Sequence, residues 1–192
     1  MKLIIASNNA HKLEEIKAIL GGLFEEILSM REAGIDHETV EDGSTFMENA
    51  IKKAREIAEI SGCCAIADDS GICVDALDGA PGIYSARFSG VHGDDEANND
   101  LLLEKLSGRT DRGAHYTCAI ALARPDGSIV QAEGYLFGEI GHERIGSNGF
   151  GYDPLFFLPE YGMTTAQLSP EEKNRISHRA NALKKLLEEL EK

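Results

Sequence analysis

The chain lacks any apolar run long enough to form a membrane-spanning helix. It also has no linker rich in proline, glycine and serine, no low-complexity tract and no internal repeat. A membrane protein, a string of linked domains and a repeat architecture are therefore not expected. The apolar run after Lys2 is too short for a signal peptide. Basic residues are scarce, 19 Lys and Arg against 33 Asp and Glu, for a formal charge of −14. Such a chain is a poor partner for a nucleic-acid backbone. It would also repel a free polyphosphate, so a phosphorylated substrate needs a metal and a local basic cluster. Cysteine is scarce too. Cys63, Cys64, Cys73 and Cys118 have no C-x-x-C spacing and lie in apolar runs. They read as buried, reduced thiols of a cytoplasmic protein rather than as a zinc site. What is present, 192 residues with 42% apolar and 27% charged, fits one α/β domain or one domain with two lobes.

The chain is organised around Ala65 to Gly82. Cys63 to Ala67 reads as a strand buried on both faces. Asp68 and Asp69 stand at its end, followed by Ser70 and Gly71. Carboxylates at the end of a buried strand are costly without a partner. They suit a hard cation such as Mg²⁺, which takes one or two carboxylates and leaves its other positions to water and phosphate. Read alone, Asp-Asp-Ser-Gly is equally a polar turn. Ile72 to Leu77 looks like another strand.

Upstream, Lys2 to Ala6 reads as a strand that runs into Ser7-Asn8-Asn9-Ala10-His11-Lys12. A helix follows, with Leu13, Ile16, Leu20 and Phe24 on one stripe. A polar loop between a buried strand and a helix N-terminus is an anion site in waiting. Asn9 can equally cap that helix. Glu41-Asp42-Gly43 ends an irregular stretch. The next helix opens with the capping box Thr45-x-x-Glu48, carries Lys52 and Lys53 in its middle and stops at Gly62. Lys52 reads as part of a solvated face.

Downstream, Tyr84 to Gly90 reads as a loop and Asp94 to Leu106 as a helix. Tyr116, Cys118, Ile120 and Leu122 begin a β-hairpin that turns at Pro125-Asp126-Gly127 and returns over Ser128 to Gly138. Gly146-Ser-Asn-Gly-Phe-Gly-Tyr-Asp-Pro154 lets backbone approach a ligand. Its glycine spacing and the strand after it do not fit a dinucleotide-binding turn. Phe150 is placed to stack on a base, or with Tyr152 to anchor the loop in the core. Ser169-Pro170-Glu171-Glu172 starts a helix with a capping box and proline at its first position.

These motifs occur together and in order: Ser7-Asn-Asn-x-x-Lys12, Glu41, Thr45-Phe-x-Glu-Asn-Ala50, Ala67-Asp-Asp-Ser-Gly71, Gly79-x-Pro-Gly-x-Tyr-Ser-Ala-Arg87, Gly149-Phe-Gly-Tyr-Asp-Pro154 and Glu172-Lys-x-x-Ile-Ser-His-Arg179. The set closely resembles the inosine/xanthosine triphosphate pyrophosphatase family, over nearly the whole chain. One departure is Ser7-Asn8-Asn9, where that family commonly has Thr-Gly-Asn. Ser keeps the hydroxyl, and Asn visits positive φ more readily than most residues.

The resemblance implies an α/β fold with a long mixed central sheet flanked by helices and two lobes with an active-site cleft between them. It implies Mg²⁺ and a homodimer, with no nucleic acid or membrane partner. The reaction would be hydrolysis of non-canonical purine triphosphates (ITP, dITP, XTP) to the monophosphate and pyrophosphate. Carried onto this sequence, Ser7, Asn8, Asn9, Ala10, His11 and Lys12 would cradle the phosphates, with Lys12 and Lys53 supplying cationic contacts. Glu41 and Asp69 would hold the metal, with Asp69 also the base toward water, and Ser70 would touch the substrate. Phe150, Gly151, Tyr152, Asp153, Lys173, His178 and Arg179 would surround the nucleoside, with His178 and Arg179 donating to the 6-carbonyl that adenine lacks.

Lys173 and His178, five residues apart, point about 140° apart on one helix. A helix break at Ser177 is therefore expected, with Ser177 capping a second helix. A Maf-like pyrophosphatase is an alternative that the Ser-His-Arg end argues against. A haloacid-dehalogenase phosphatase would need Asp-x-Asp, which adjacent Asp68 and Asp69 do not supply. A nucleotide-binding regulator without catalysis is the alternative of a different class.

Overall fold

A computed structural model describes residues 2–191. In chain order the elements are β1 (Lys2–Ile5), α1 (Ala10–Leu20), β2 (Glu26–Ser29), α2 (Phe46–Ser61), β3 (Cys64–Val74), α3 (Asp95–Lys105), β4 (Gly113–Ala123), β5 (Ile129–Ile140), β6 (Phe156–Leu158), β7 (Met163–Thr164), α4 (Pro170–Ile176) and α5 (His178–Leu190). The strands form one mixed sheet in the order β2-β1-β3-β4-β5-β6-β7. β1 is parallel to both β2 and β3, whereas β6 is antiparallel to β5 and β7. The expected α/β class with a mixed sheet and flanking helices is what the chain adopts.

The chain divides into two compact units. The first comprises the chain through Asp69, residues Cys118–Gly134 and everything from His178 on. The second comprises Ser70–Thr117 and Tyr135–Ser177. In the first unit, alternation along the strands explains why their sequences read as unbroken apolar runs. Leu3, Ile5, Cys64, Ile66, Cys118, Ile120 and Leu122 share a core with Ile16 and Leu20 of α1 and Leu183 and Leu186 of α5. The intervening residues Ile4, Ala65, Ala67, Ala119 and Ala121 pack with Ala50, Ala54 and Ile57 of α2. A strand covered on both faces has no polar side to show. In the second unit, Ile72, Val74, Leu102, Leu106, Tyr116, Ile140 and Phe156 form the core.

Asp-Asp-Ser-Gly is not a turn. β3 runs unbroken from Cys64 to Val74, the two expected strands are one, and Asp75–Leu77 is a short 3-10 turn. Gly71 does not take a left-handed conformation, and Asp68 and Asp69 are both buried. The turn-like composition is overridden because both carboxylates find cations in the first unit, as described below. β2 was not expected, and the first part of the Tyr84–Gly90 stretch read as loop belongs to a 3-10 helix over Gly82–Arg87. Cys64 and Cys118 are buried, but Cys63 and Cys73 are only half-buried; all four are free thiols.

The break at Ser177 is present. Ser177 caps α4 at its C-terminus with extended backbone (φ −61°, ψ 154°), its N–H bonded to Lys173 O at 2.8 Å, and α5 starts at His178. The capping box at Ser169 forms in full. The one at Thr45 forms by half: Thr45 Oγ1 accepts from Glu48 N, but the Glu48 carboxylate turns to Ser44.

Candidate active site

In the first unit, the period-2 alternation of β3 sends its adjacent aspartates to opposite faces. Asp68 continues the line of Cys64 and Ile66, toward α1 and α5. Its Oδ2 accepts from Lys12 Nζ of α1 at 2.9 Å, and from Arg179 Nη2 at 2.9 Å and Nε at 3.2 Å of α5. Glu15, one turn beyond Lys12 on α1, pairs with the other end of the Arg179 guanidinium. Burial alone would push the Asp68 carboxyl up, but Lys12 and Arg179 overcome it and hold it well below the usual carboxylate range.

Asp69 continues the line of Ala65 and Ala67, toward α2. Asn49 Nδ2 donates to its Oδ2 at 2.9 Å. Lys53 Nζ, one turn further along α2, lies 3.7 Å from Asp69 Oδ1 and 2.7 Å from Glu41 Oε1. Burial raises the Asp69 carboxyl more than Lys53 and Lys12 lower it, so it titrates above an ordinary aspartate. Burial likewise disfavours the Lys53 ammonium, but Asp69, Asp68 and Glu41 outweigh it and raise its pKa. Glu41 and Asp69 thus converge on a position that already carries positive charge. Among the described residues no group of three or more His, Cys, Asp and Glu is arranged to hold a metal. Two convergent carboxylates are nonetheless the donor set that suits Mg²⁺ when a phosphorylated substrate supplies further oxygens.

Around Ser7–Lys12 the loop is exposed or half-buried. Asn9 caps α1, its Oδ1 accepting from His11 N at 3.0 Å and Lys12 N at 3.2 Å, and Asn9 N donates to Ser7 Oγ at 3.1 Å. Two first-turn N–H groups expected to face an anion are therefore already engaged. Lys52 pairs with Asp42 at 2.7 Å on the surface, as expected of a solvated face.

The second unit holds the glycine-rich loop. Asp153 is buried and gathers it: Oδ2 accepts from Lys173 Nζ at 2.6 Å and Phe150 N at 2.9 Å, and Oδ1 from Thr165 Oγ1 at 2.9 Å. Gly149 is left-handed (φ +77°), and a Cβ there would overlap the Asp153 carboxylate. The Lys173 ammonium lies 4.7 Å from the Phe150 ring centroid, and that ring is half-buried. Tyr152 is buried and donates to Ser85 O at 2.8 Å, so of the two aromatics it is the one that anchors the loop. At the start of α3, Asp95 accepts from Gly151 N at 2.7 Å, and Asn99 donates to Gly151 O at 2.9 Å. Ser70 is half-buried on β3.

The sequence-predicted residues thus form two groups: Lys12, Glu41, Lys53, Asp69 and Arg179 in one network, and Phe150–Asp153 with Lys173 in another. The Arg179 side chain, expected beside the nucleoside, is 1% exposed, and its guanidinium pairs with Asp68 and Glu15. His178, the first residue of α5, is buried as well. Glu15, Asn49, Asp95 and Asn99 were not singled out. Glu15 had a signal in its spacing of three from Lys12, which puts both on one helix face. Asn49 lay inside the Thr45–Ala50 motif.

A family model described as the Ham1 family matches residues 3–189. A protein of Clostridium perfringens named dITP/XTP pyrophosphatase is 51% identical, over 98% of this chain and 97% of that one. The structure of the Staphylococcus aureus Ham1 protein superposes with a TM-score of 0.89 at 44% identity, covering 100% of this chain and 98% of the other. A crystal structure from Mycobacterium abscessus, titled nucleoside-triphosphatase / dITP/XTP pyrophosphatase, gives a TM-score of 0.79 at 45% identity over 97% and 99% of the two chains.

Proposed function

Because this chain belongs to the Ham1 family, we propose that it is a nucleoside-triphosphate pyrophosphatase that cleaves the non-canonical purine triphosphates dITP, XTP and ITP to the monophosphate and pyrophosphate. The relatives named dITP/XTP pyrophosphatase support the reaction and the substrate class. The observation that carries the chemistry is the network of Lys12, Lys53, Glu41 and Asp69, which sets cations and a raised-pKa carboxylate side by side.

In this reading Glu41 and Asp69 would hold Mg²⁺, which would supply charge neutralisation at the phosphates. Asp69 orients a water and takes its proton as the water oxygen bonds to the α-phosphorus, the anhydride bond between the α and β phosphates breaks, and pyrophosphate departs with the bonding pair. Lys12 and Lys53 balance charge on the phosphate oxygens, and the Ser7–His11 loop with the positive end of α1 faces the same anion. Phe150 stacks on the base, held in place by Gly151, Asp153 and Lys173. Tyr152 keeps that loop anchored. Ser70 contacts the substrate, and His178 donates to the 6-carbonyl. Arg179 acts through Asp68 instead of touching the base. A homodimer in the cytoplasm belongs to the same reading, drawn from the family resemblance.

The test is a panel of ITP, dITP, XTP, GTP and ATP, assayed for pyrophosphate with and without Mg²⁺. We expect Mg²⁺-dependent pyrophosphate release, far faster for ITP, dITP and XTP than for ATP. Orthophosphate and a diphosphate as primary products would overturn the reaction, and equal rates on ITP and ATP would overturn the base preference.

A further inference from the structure

We infer that Asn49 is a positioning residue that fixes the geometry of the two carboxylates Glu41 and Asp69. The inference rests on the reading of those carboxylates given above. Asn49 lies in the first turn of α2 and is 2% exposed. Its carboxamide bonds at both ends. Nδ2 donates to Asp69 Oδ2 at 2.9 Å, and Oδ1 accepts from Gly43 N at 2.8 Å. Gly43 is two residues beyond Glu41, in a stretch without helix or strand. One side chain thus ties a buried strand carboxylate to the irregular segment that carries the other.

The approach is close enough to dictate the residue at 43. A Cβ on Gly43 would lie 2.6 Å from Asn49 Oδ1 and 2.9 Å from Glu48 Cβ. Gly43 is not in a left-handed conformation, so proximity to Asn49, not backbone freedom, is what its lack of a side chain serves. Lys53, on the same face of α2, links Glu41 and Asp69 by charge. An ammonium on a flexible stem tolerates many geometries, whereas a carboxamide bonded at both ends allows few. Asn49 also determines which Asp69 oxygen faces the helix, and with it the rotamer of the carboxylate. Outer partners that orient ligands in this way typically change metal affinity or activity by about 10–100-fold when removed.

The experiment compares the unmodified protein with Asn49→Leu, Gly43→Ala and Asp69→Asn. Asn49→Leu keeps the branched shape and removes both hydrogen bonds. Gly43→Ala leaves Asn49 in place and wedges the segment away from it. Each is read by melting temperature, by kcat and KM for ITP, and by Mn²⁺ binding, followed by electron paramagnetic resonance with a non-cleavable ITP analogue present. For Asn49→Leu and Gly43→Ala we expect kcat to fall by about 10–100-fold and Mn²⁺ binding to weaken by a similar factor, with KM within about threefold. A protein that merely lost packing would melt lower with kcat and Mn²⁺ affinity unchanged, and that result would overturn the inference. Asp69→Asn separates the two levels. If it retains full turnover and Mn²⁺ affinity, the assignment of the carboxylates fails. If it loses both while Asn49→Leu and Gly43→Ala keep both, only the role of Asn49 fails.

Discussion

Replacing Arg179 by methionine separates a structural from a recognition role for that residue. Asp68 is fully buried, and among the described residues its charged hydrogen-bond partners all meet Oδ2: Lys12 Nζ at 2.9 Å, Arg179 Nη2 at 2.9 Å and Arg179 Nε at 3.2 Å. Its Oδ1 has no hydrogen-bond partner among the described residues. Arg179→Met removes two of those three contacts and leaves Glu15 without its guanidinium. Breaking a buried ion pair from one side costs about 3–5 kcal/mol. Lys12 remains, so the low end applies, about 3 kcal/mol, or a melting temperature lower by about 6–12 °C for a chain of this size. Methionine fills much of the arginine stem's volume, so the loss reports charge and hydrogen bonding and little cavity.

The pH dependence has a definite sign. The folded-state pKa of Asp68 is depressed, so its stabilisation is present above the ordinary aspartate value of 3.8 and is lost as pH falls below it, where the unfolded chain takes up a proton first. Arg179→Met depresses that pKa less, so the gap between the two proteins narrows as pH drops below about 4. Melting by circular dichroism at neutral pH and at several acidic values checks both points. The ITP-to-ATP ratio of kcat/KM, measured below the melting transition, stays unchanged. A fall in melting temperature under about 2 °C, or a collapse of that ratio, would refute the structural role.

In the second unit, Gly149→Ala forces an alanine into a left-handed position and its Cβ into the Asp153 carboxylate. Strain of about 1–3 kcal/mol displaces the Phe150 loop, and KM for ITP rises about tenfold or more; an unchanged KM would separate that loop from the substrate. Tyr152→Phe removes the hydrogen bond to Ser85 O from a buried hydroxyl, lowering stability by about 1 kcal/mol. Its kcat/KM for ITP holds, and a large rise in KM at unchanged melting temperature would show the hydroxyl meeting the substrate.

Much of this was legible in the sequence where one local rule decides the outcome. The cap at Asn9, the box at Ser169, the stop at Gly62 and the break at Ser177 each depend on a few neighbouring residues, and each formed. β3 was misread because Asp-Asp-Ser-Gly carries a turn composition, while the partners of its carboxylates lie elsewhere in the sequence: Lys12 and, from the far end of the chain, Arg179 for Asp68, and Asn49 and Lys53 for Asp69. The same distance hid the role of Arg179. Motif order places it near the site, but only the pairing of α5 with β3 shows that its partner is a carboxylate. Asn49 was visible in its motif, yet its two bonds reach Gly43 and Asp69, six and twenty residues away.

The charges of the first network explain why a cation belongs to the proposed reaction. Lys12, Lys53 and Arg179 stand against Glu15, Glu41, Asp68 and Asp69, three positive charges against four negative. Every one of those cations already faces a carboxylate, so the network offers a triphosphate no surplus of positive charge, and the chain as a whole, at −14, repels it. In the proposed reading Glu41 and Asp69 would hold a divalent cation, which would change that local balance from −1 to +1; Lys53, paired with both carboxylates, would then be the ammonium available to a phosphate oxygen. Lys12 has no such release, because Asp68, on the opposite face of β3, keeps its charge. The two lysines that look alike in sequence are therefore distinct in kind. Lys12 is paired with a carboxylate held well below the usual range, and Lys53 is paired with the two carboxylates that the proposed reading gives to the metal. The alternation of β3, which puts adjacent aspartates on opposite faces, is what makes them so.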